Sequence, residues 1–393
     1  MRKLPAFLLT CLWLIATNAL AQQKLMEPVA LPPSPGRVIA TAFSPDSRSV
    51  ALVRSVSAES AENQKSAPPV HLTLQIMNLA TAEETAKAAI PNKVEREEAF
   101  QRHFLYYSAD GKHLLFSAAG SDQITLLDAE TFLVVRTISL KPSDASHAAA
   151  GFHGIATIAP AANANVFAIL RHDEGSEDEV MIASFDTGEI VKSWPLGRLR
   201  LATKLGQASV AMSGDGKQVA LSVLPDANKL PKGFKNLRLY NAESGDLIKS
   251  IRTRGPVGPL AVLGKEHILA ARIDLPGLFS RSNCVERWDM NSARLSARYC
   301  AVKLNAIAVD ATTSAGRAAG YVGRWHQASD GNYYLHHGRV EVWSLNNAAP
   351  VASLGPFLGN GLVKISPDGK WILAEQVLVH VDDAPPVFSR SKH

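Results

Sequence analysis

Four segments of this chain are variations on one sentence: AFSPDSRSVALV (42–53), YYSADGKHLLFS (106–117), VAMSGDGKQVALS (210–222) and VKISPDGKWILAE (363–375). Each reads as a short strand, a tight turn and a second strand. The turn Ser and Asp can bond their own backbone, and the Gly that follows accepts a positive φ. Three further segments stand at matching intervals with eroded turns: HGIATIAPAANANVFAILR, GPLAVLGKEHILAAR and LNAIAVDATTSAGRAAGYV. The turn positions Asp46, Asp110, Asn163, Asp215, Gly264, Thr312 and Asp368 are separated by 64, 53, 52, 49, 48 and 56 residues. A period of this length takes priority over chain length in deciding the architecture.

After a spacer of variable length, each unit continues into a second hairpin. These cover 72–89, 124–138, 180–194, 237–251, 285–299 and 340–354, where alternating β-branched and aromatic residues meet Asp or Asn at the turn. Seven units of four short strands predict an all-β chain, a seven-bladed propeller of antiparallel four-stranded blades. SPDGK, as at 366–370, and I-x-L-x-D-x-x-T, as at 124–131, resemble the repeats of WD-repeat and YVTN-type propellers over nearly the whole chain. The periodic His of the strict WD class is missing, and the Trp-Asp pair occurs only at Trp288-Asp289. The resemblance implies a fold and transfers no activity.

The seventh unit is half a unit, because the chain ends soon after VLVHV (377–381). An open ring would leave sheet edges unpaired. The strand expected to fill the gap is KLMEPVAL (24–31), set beside 377–381, with Pro28 tolerable at an outer edge.

The first 21 residues carry a cationic start (Arg2, Lys3), an apolar run from Leu4 to Ile15 and Ala19-Leu20-Ala21, the layout of a cleavable secretory signal. The expected organisation is a signal peptide over 1–21, one propeller over 22–383 and a tail over 384–393. Loss of Arg2 and Lys3 takes the formal net charge from +5 to +3, which points to no nucleic-acid or membrane partner. The expected protein is a monomer exported to the periplasm or the medium. The remaining cysteines, Cys284 and Cys300, lie symmetrically about the turn at 291–293 and are expected to pair as a disulfide, two buried free thiols being the alternative.

In a propeller the first-to-second and third-to-fourth strand turns share one face, and the longer second-to-third connections share the other with the links between blades. Binding residues are expected among those longer connections. SVSAESAENQKSAPP (55–69) reads as a floppy loop. RHDEGSEDE (171–179) brings Asp173, Glu174, Glu177, Asp178 and Glu179 and reads as a solvated charge run. Lys232, Phe234 and Lys235, with Phe279 and Arg281, form either a cationic aromatic rim or caps on the blade cores. The richest is GRWHQASDGNYYLHHG (323–338), read as a loop holding Trp325, His326, Tyr333, Tyr334, His336 and His337. Rings beside imidazoles suit a peptide or a glycan. No metal site is assigned to these histidines, because none has helical ligand spacing and His336 and His337 would diverge in a strand.

No G-x-S-x-G, C-x-x-C-H, H-E-x-x-H, Walker or G-x-G-x-x-G motif occurs, and no cofactor is expected. The leading expectation is a non-catalytic exported propeller binding a protein, peptide or glycan. The alternative is a metal-dependent hydrolase or lyase resembling lactonase propellers, with acidic residues such as Asp310 and Glu375 in the channel.

Overall fold

The computed structural model describes residues 26–31, 36–57, 70–94, 103–118, 121–140, 153–173, 178–197, 209–223, 235–253, 257–263, 267–272, 284–300, 305–312, 316–327, 333–346, 350–357, 363–374 and 376–381. They form seven four-stranded antiparallel sheets arranged as a seven-bladed propeller. Blade one is β2 (Arg37–Phe43), β3 (Ser49–Ser57), β4 (Val70–Asn78) and β5 (Glu84–Val94). Blade two is β6 (Phe104–Tyr107), β7 (His113–Ser117), β8 (Gln123–Asp128) and β9 (Val134–Ser139). Blade three is β10 (His153–Pro160), β11 (Val166–Asp173), β12 (Asp178–Ser184) and β13 (Ile190–Gly197). Blade four is β14 (Val210–Met212), β15 (Gln218–Ser222), β16 (Leu237–Asn241) and β17 (Leu247–Ile251). Blade five is β18 (Val257–Leu263), β19 (His267–Arg272), β20 (Cys284–Asp289) and β21 (Arg294–Cys300). Blade six is β22 (Asn305–Thr312), β23 (Arg317–Gln327), β24 (Tyr333–Ser344) and β25 (Pro350–Phe357). Blade seven is β26 (Val363–Ile365), β27 (Trp371–Ala374) and β28 (Val377–Val381), completed by β1 (Met26–Ala30) from the other end of the chain. Among the described residues no helix is long and apolar enough to cross a membrane.

The repeated turn works as its residues suggest. Ser44, Ser108, Ser213 and Ser366 each donate their hydroxyl to the Asp two residues on, at 2.5–2.7 Å. Each of these hydroxyls also accepts the amide that starts the second strand, and each Asp accepts the amide two residues after it. Gly111, Gly216 and Gly369 take the positive φ. Blade one has Ser47 there instead, at φ 58°. A left-handed residue with a Cβ costs about 1 kcal/mol. Ser47 recovers a similar amount, because its Oγ accepts the Asp368 amide of blade seven at 3.0 Å. A glycine would lose that bond across the closing seam.

The blades are apolar on both faces. In β3, Val50 and Leu52 join the cluster shared with blade seven, whereas Ala51 and Val53 join the one shared with blade two. Seven hydrophobic clusters among the described residues span the seven seams, one each. Polar clips supplement them: the Asn163 amide donates to the Gly214 carbonyl, Arg287 to that of Leu345 and Arg317 to that of Gly369. At the outer rim, Gly188 and Gly245 lie against Arg136 and Trp194 of the preceding blades, where a side chain would collide.

The closing strand pairs as the sequence predicts. β1 runs antiparallel to β28, from Met26 opposite Val381 to Ala30 opposite Val377. Pro28 sits on the outer strand, where its missing N–H costs no ladder bond on the solvent side. Leu31, just beyond β1, packs into the cluster between blades seven and one. Deleting residues 22–33 therefore removes both a strand and a seam contact. The expected result in a thermal melt is a drop of roughly 10 °C or more, the size that several kcal/mol produce.

The turn carboxylates also set an acid limit. The Ser44 hydroxyl, ahead of the Arg48 amide, holds Asp46 below its usual range. Partial burial pushes Asp110 up, but the Ser108 hydroxyl, the Lys112 amide and Asn165 outweigh it and bring the group to about 2. Depressed carboxylates contribute stability above their unfolded pKa and lose it as pH falls through the folded value. Urea titrations should show stability declining between about pH 4 and pH 2, with a shallower decline in Asp110→Asn.

Candidate functional site

The segment 323–338, expected to be a loop, is mostly strand. β23 and β24 outrun their blade: β22 pairs with β23 only as far as Asn305 opposite Gly323, and β25 joins β24 from Phe357 opposite Gly338. Beyond that point Arg324 faces His336, Trp325 faces Leu335, His326 faces Tyr334 and Gln327 faces Tyr333. Among the described residues these four pairs belong to no ladder but their own, making a two-stranded arm. It extends on the order of 13 Å past the blade, at about 3.3 Å per residue. The signal was present in the sequence. Trp and Tyr favour strands, and Asp-Gly, as at 330–331, is a dipeptide that favours hairpin turns.

The arm's root is sterically defined. Gly338 lies so close to the buried Tyr321 ring that a Cβ would stand 2.4 Å from its hydroxyl. The ladder also shifts register between Val322 and Arg324, where His337 falls. The arm thus gathers Trp325, His326, Tyr333, Tyr334 and His336, with His337 at its base, into one element on the face of the longer connections. Of the second expected group, Lys235 is exposed just before β16, while Lys232, Phe234, Phe279 and Arg281 lie outside the described residues.

The acidic run of 171–179 needs a correction. Asp178 is not solvated: it is 1% exposed, and its Oδ1 lies 2.5 Å from His172 Nδ1, itself buried. The strands β11 and β12 carry the two residues inward together, beside the paired positions Arg171 and Glu179. An imidazole within ladder reach converts one member of a charge run into a core group. Glu174 and Glu177 lie outside the described residues.

The innermost strands hold two residues that the sequence reading missed, Tyr106 and Lys364, at the level of Asp310. Aligned through their ladders, the seven innermost strands place one residue each at the same level, two before the turn serine or its equivalent. Blades one, three, four and five have Ala42, Ala159, Ala211 and Ala261 there. Blades two, six and seven have Tyr106, Asp310 and Lys364. With only Ala42 in the intervening blade, Lys364 extends from blade seven to blade two, and its Nζ lies 4.7 Å from the Tyr106 ring centroid. Burial works against this ammonium, but the fields of Tyr106 and Asp310 outweigh it and hold its pKa above the ordinary lysine value. Lys364 therefore acts as a fixed positive charge and not as a nucleophilic amine. The detectable signal was a Lys where related repeats have Ala.

Asp310, a channel carboxylate only in the alternative reading and otherwise a turn or edge residue, is engaged. Its Oδ2 accepts the Ile365 amide at 3.0 Å, capping an inner-edge N–H of the next blade. Ser209 does the same for the Leu260 amide between blades four and five, at 3.1 Å. Inner strands have an open ladder edge towards the axis, and these side chains satisfy part of it. Glu375 lies outside the described residues. Among the described residues no three His, Cys, Asp or Glu side chains are grouped so as to hold a metal.

No family model matches this chain, and no curated protein matches it.

Proposed function

We propose that this chain is an exported propeller of the WD-repeat or YVTN type that binds a protein, peptide or glycan through the face of its longer connections. The arm on blade six carries this reading. A two-stranded projection is far more than a connection between β23 and β24 requires, and it concentrates aromatic and imidazole residues outside the blade. Aromatic side chains offer large contact area at little cost in conformational entropy, which is how aromatic anchors dominate interfaces. Lys235, exposed just before β16, ends another of the longer connections, and Phe234, Phe279 and Arg281 enter this reading from the sequence alone. The metal-dependent hydrolase is the weaker reading, since Asp310 is committed to the Ile365 amide.

The test uses the full chain immobilised against an extracytoplasmic extract. Trp325→Ala with Tyr334→Ala should lose the captured partner while the melting temperature stays within about 2 °C, as for a surface change. A large loss of stability with unchanged capture would assign those rings to the core and end the proposal.

Export also gives Cys284 and Cys300 an oxidising setting. The backbone ladder of blade five sets them opposite each other, and we assign them a disulfide that locks the outer hairpin. In the chain-entropy model it would stabilise the blade by about 3 kcal/mol. Thiol titration of the unfolded mature protein, with and without reductant, should find two thiols only after reduction; two without it would exclude the bond.

A further inference from the structure

We propose that the axial opening binds a small oxyanion, a phosphate or carboxylate group, at Lys364. This site is separate from the arm, lying near the tight-turn end of the ring, and it does not rest on the reading given above.

Three observations lead to it. First, Tyr106, Asp310 and Lys364 come from blades two, six and seven and occupy one level of the innermost strands. The contact of Lys364 with Tyr106 passes over blade one, so this group lies across the axis. Secondly, Lys364 is a half-buried residue whose ammonium is partly desolvated and touches Tyr106, yet among the described residues it forms no ion pair with a carboxylate. Asp310 influences it through space while its Oδ2 is held by the Ile365 amide. A positive charge partly withdrawn from water without a contacting counter-ion favours an anion that can reach it. Thirdly, the other four positions at this level are alanines packed into the seams, so no further charged side chain stands at the level of Lys364.

The chemistry follows from these groups. Lys364 presents N–H donors to the oxyanion, and the Tyr106 hydroxyl can add a further donor. Asp310 opposes a second negative charge, which holds the affinity down. Affinity should thus rise when Asp310 is neutralised, an outcome opposite to that for a cation or metal site.

Calorimetric titration of the full chain, at constant ionic strength and with chloride as reference, tests this with inorganic phosphate in one arm and succinate in the other. Saturable binding is expected to one of them, and the arm that binds identifies the group. Lys364→Met should abolish it. Asp310→Asn, whose amide oxygen can still accept the Ile365 N–H, should tighten it several-fold. If neither anion binds, if Lys364→Met binds as the parent does, or if Asp310→Asn weakens binding while remaining folded, the proposal is overturned. Capture by the arm would be unaffected in each case.

Discussion

No blade of this protein can bury its own apolar surface. Its strands present hydrophobic side chains on both faces, as β3 does with Val50 and Leu52 on one side and Ala51 and Val53 on the other. Each sheet therefore needs a neighbour on each side, and only a closed ring supplies one to every sheet. At about 25 cal/mol per Å² of apolar area, leaving one seam open would expose both halves of a cluster at a cost that marginal stability cannot absorb. The hydrogen-bonded pairing of β1 with β28 answers that demand: strands from the two ends of the chain share blade seven, and Leu31 packs into the seam beside it.

The small features of the repeat serve the same ring. The Ser-Asp turn satisfies its backbone internally and keeps each innermost hairpin short. Where blade seven meets blade one, Ser47 replaces the expected Gly and contributes a bond across the seam. Arg287 and Arg317 reach carbonyls of the following blades. Asp310 and Ser209 cap amides along the open inner edges. Residues that look like repeat decay in one unit are thus contacts to the next.

Candidate functional features are departures from the repeat that the ring does not require. The arm of blade six adds length beyond the four-stranded ladder, and Lys364 puts a charge where four blades have alanine. Neither belongs to a hydrophobic seam: Lys364 reaches past blade one to the Tyr106 ring instead of packing into a cluster. The buried pair His172 and Asp178 lies between these cases, a polar contact between the paired strands β11 and β12.

The sequence by itself determined the number of units, the turn chemistry, the strand alternation and the origin of the closing strand, because each is written in local spacing and composition. The register of Cys284 against Cys300 was also legible, since a hairpin imposes it. What only the tertiary structure decided is what meets across the ring. Tyr106, Asp310 and Lys364 are hundreds of residues apart at the extremes, and no linear motif encodes a level of the axis. The solvent exposure of Asp178 and the availability of Asp310 were likewise undecidable, because each depends on a partner that another strand delivers. The arm was misread for a different reason: strand propensity and the Asp-Gly turn were visible, but a ladder that outruns its blade is defined only by where its neighbours stop.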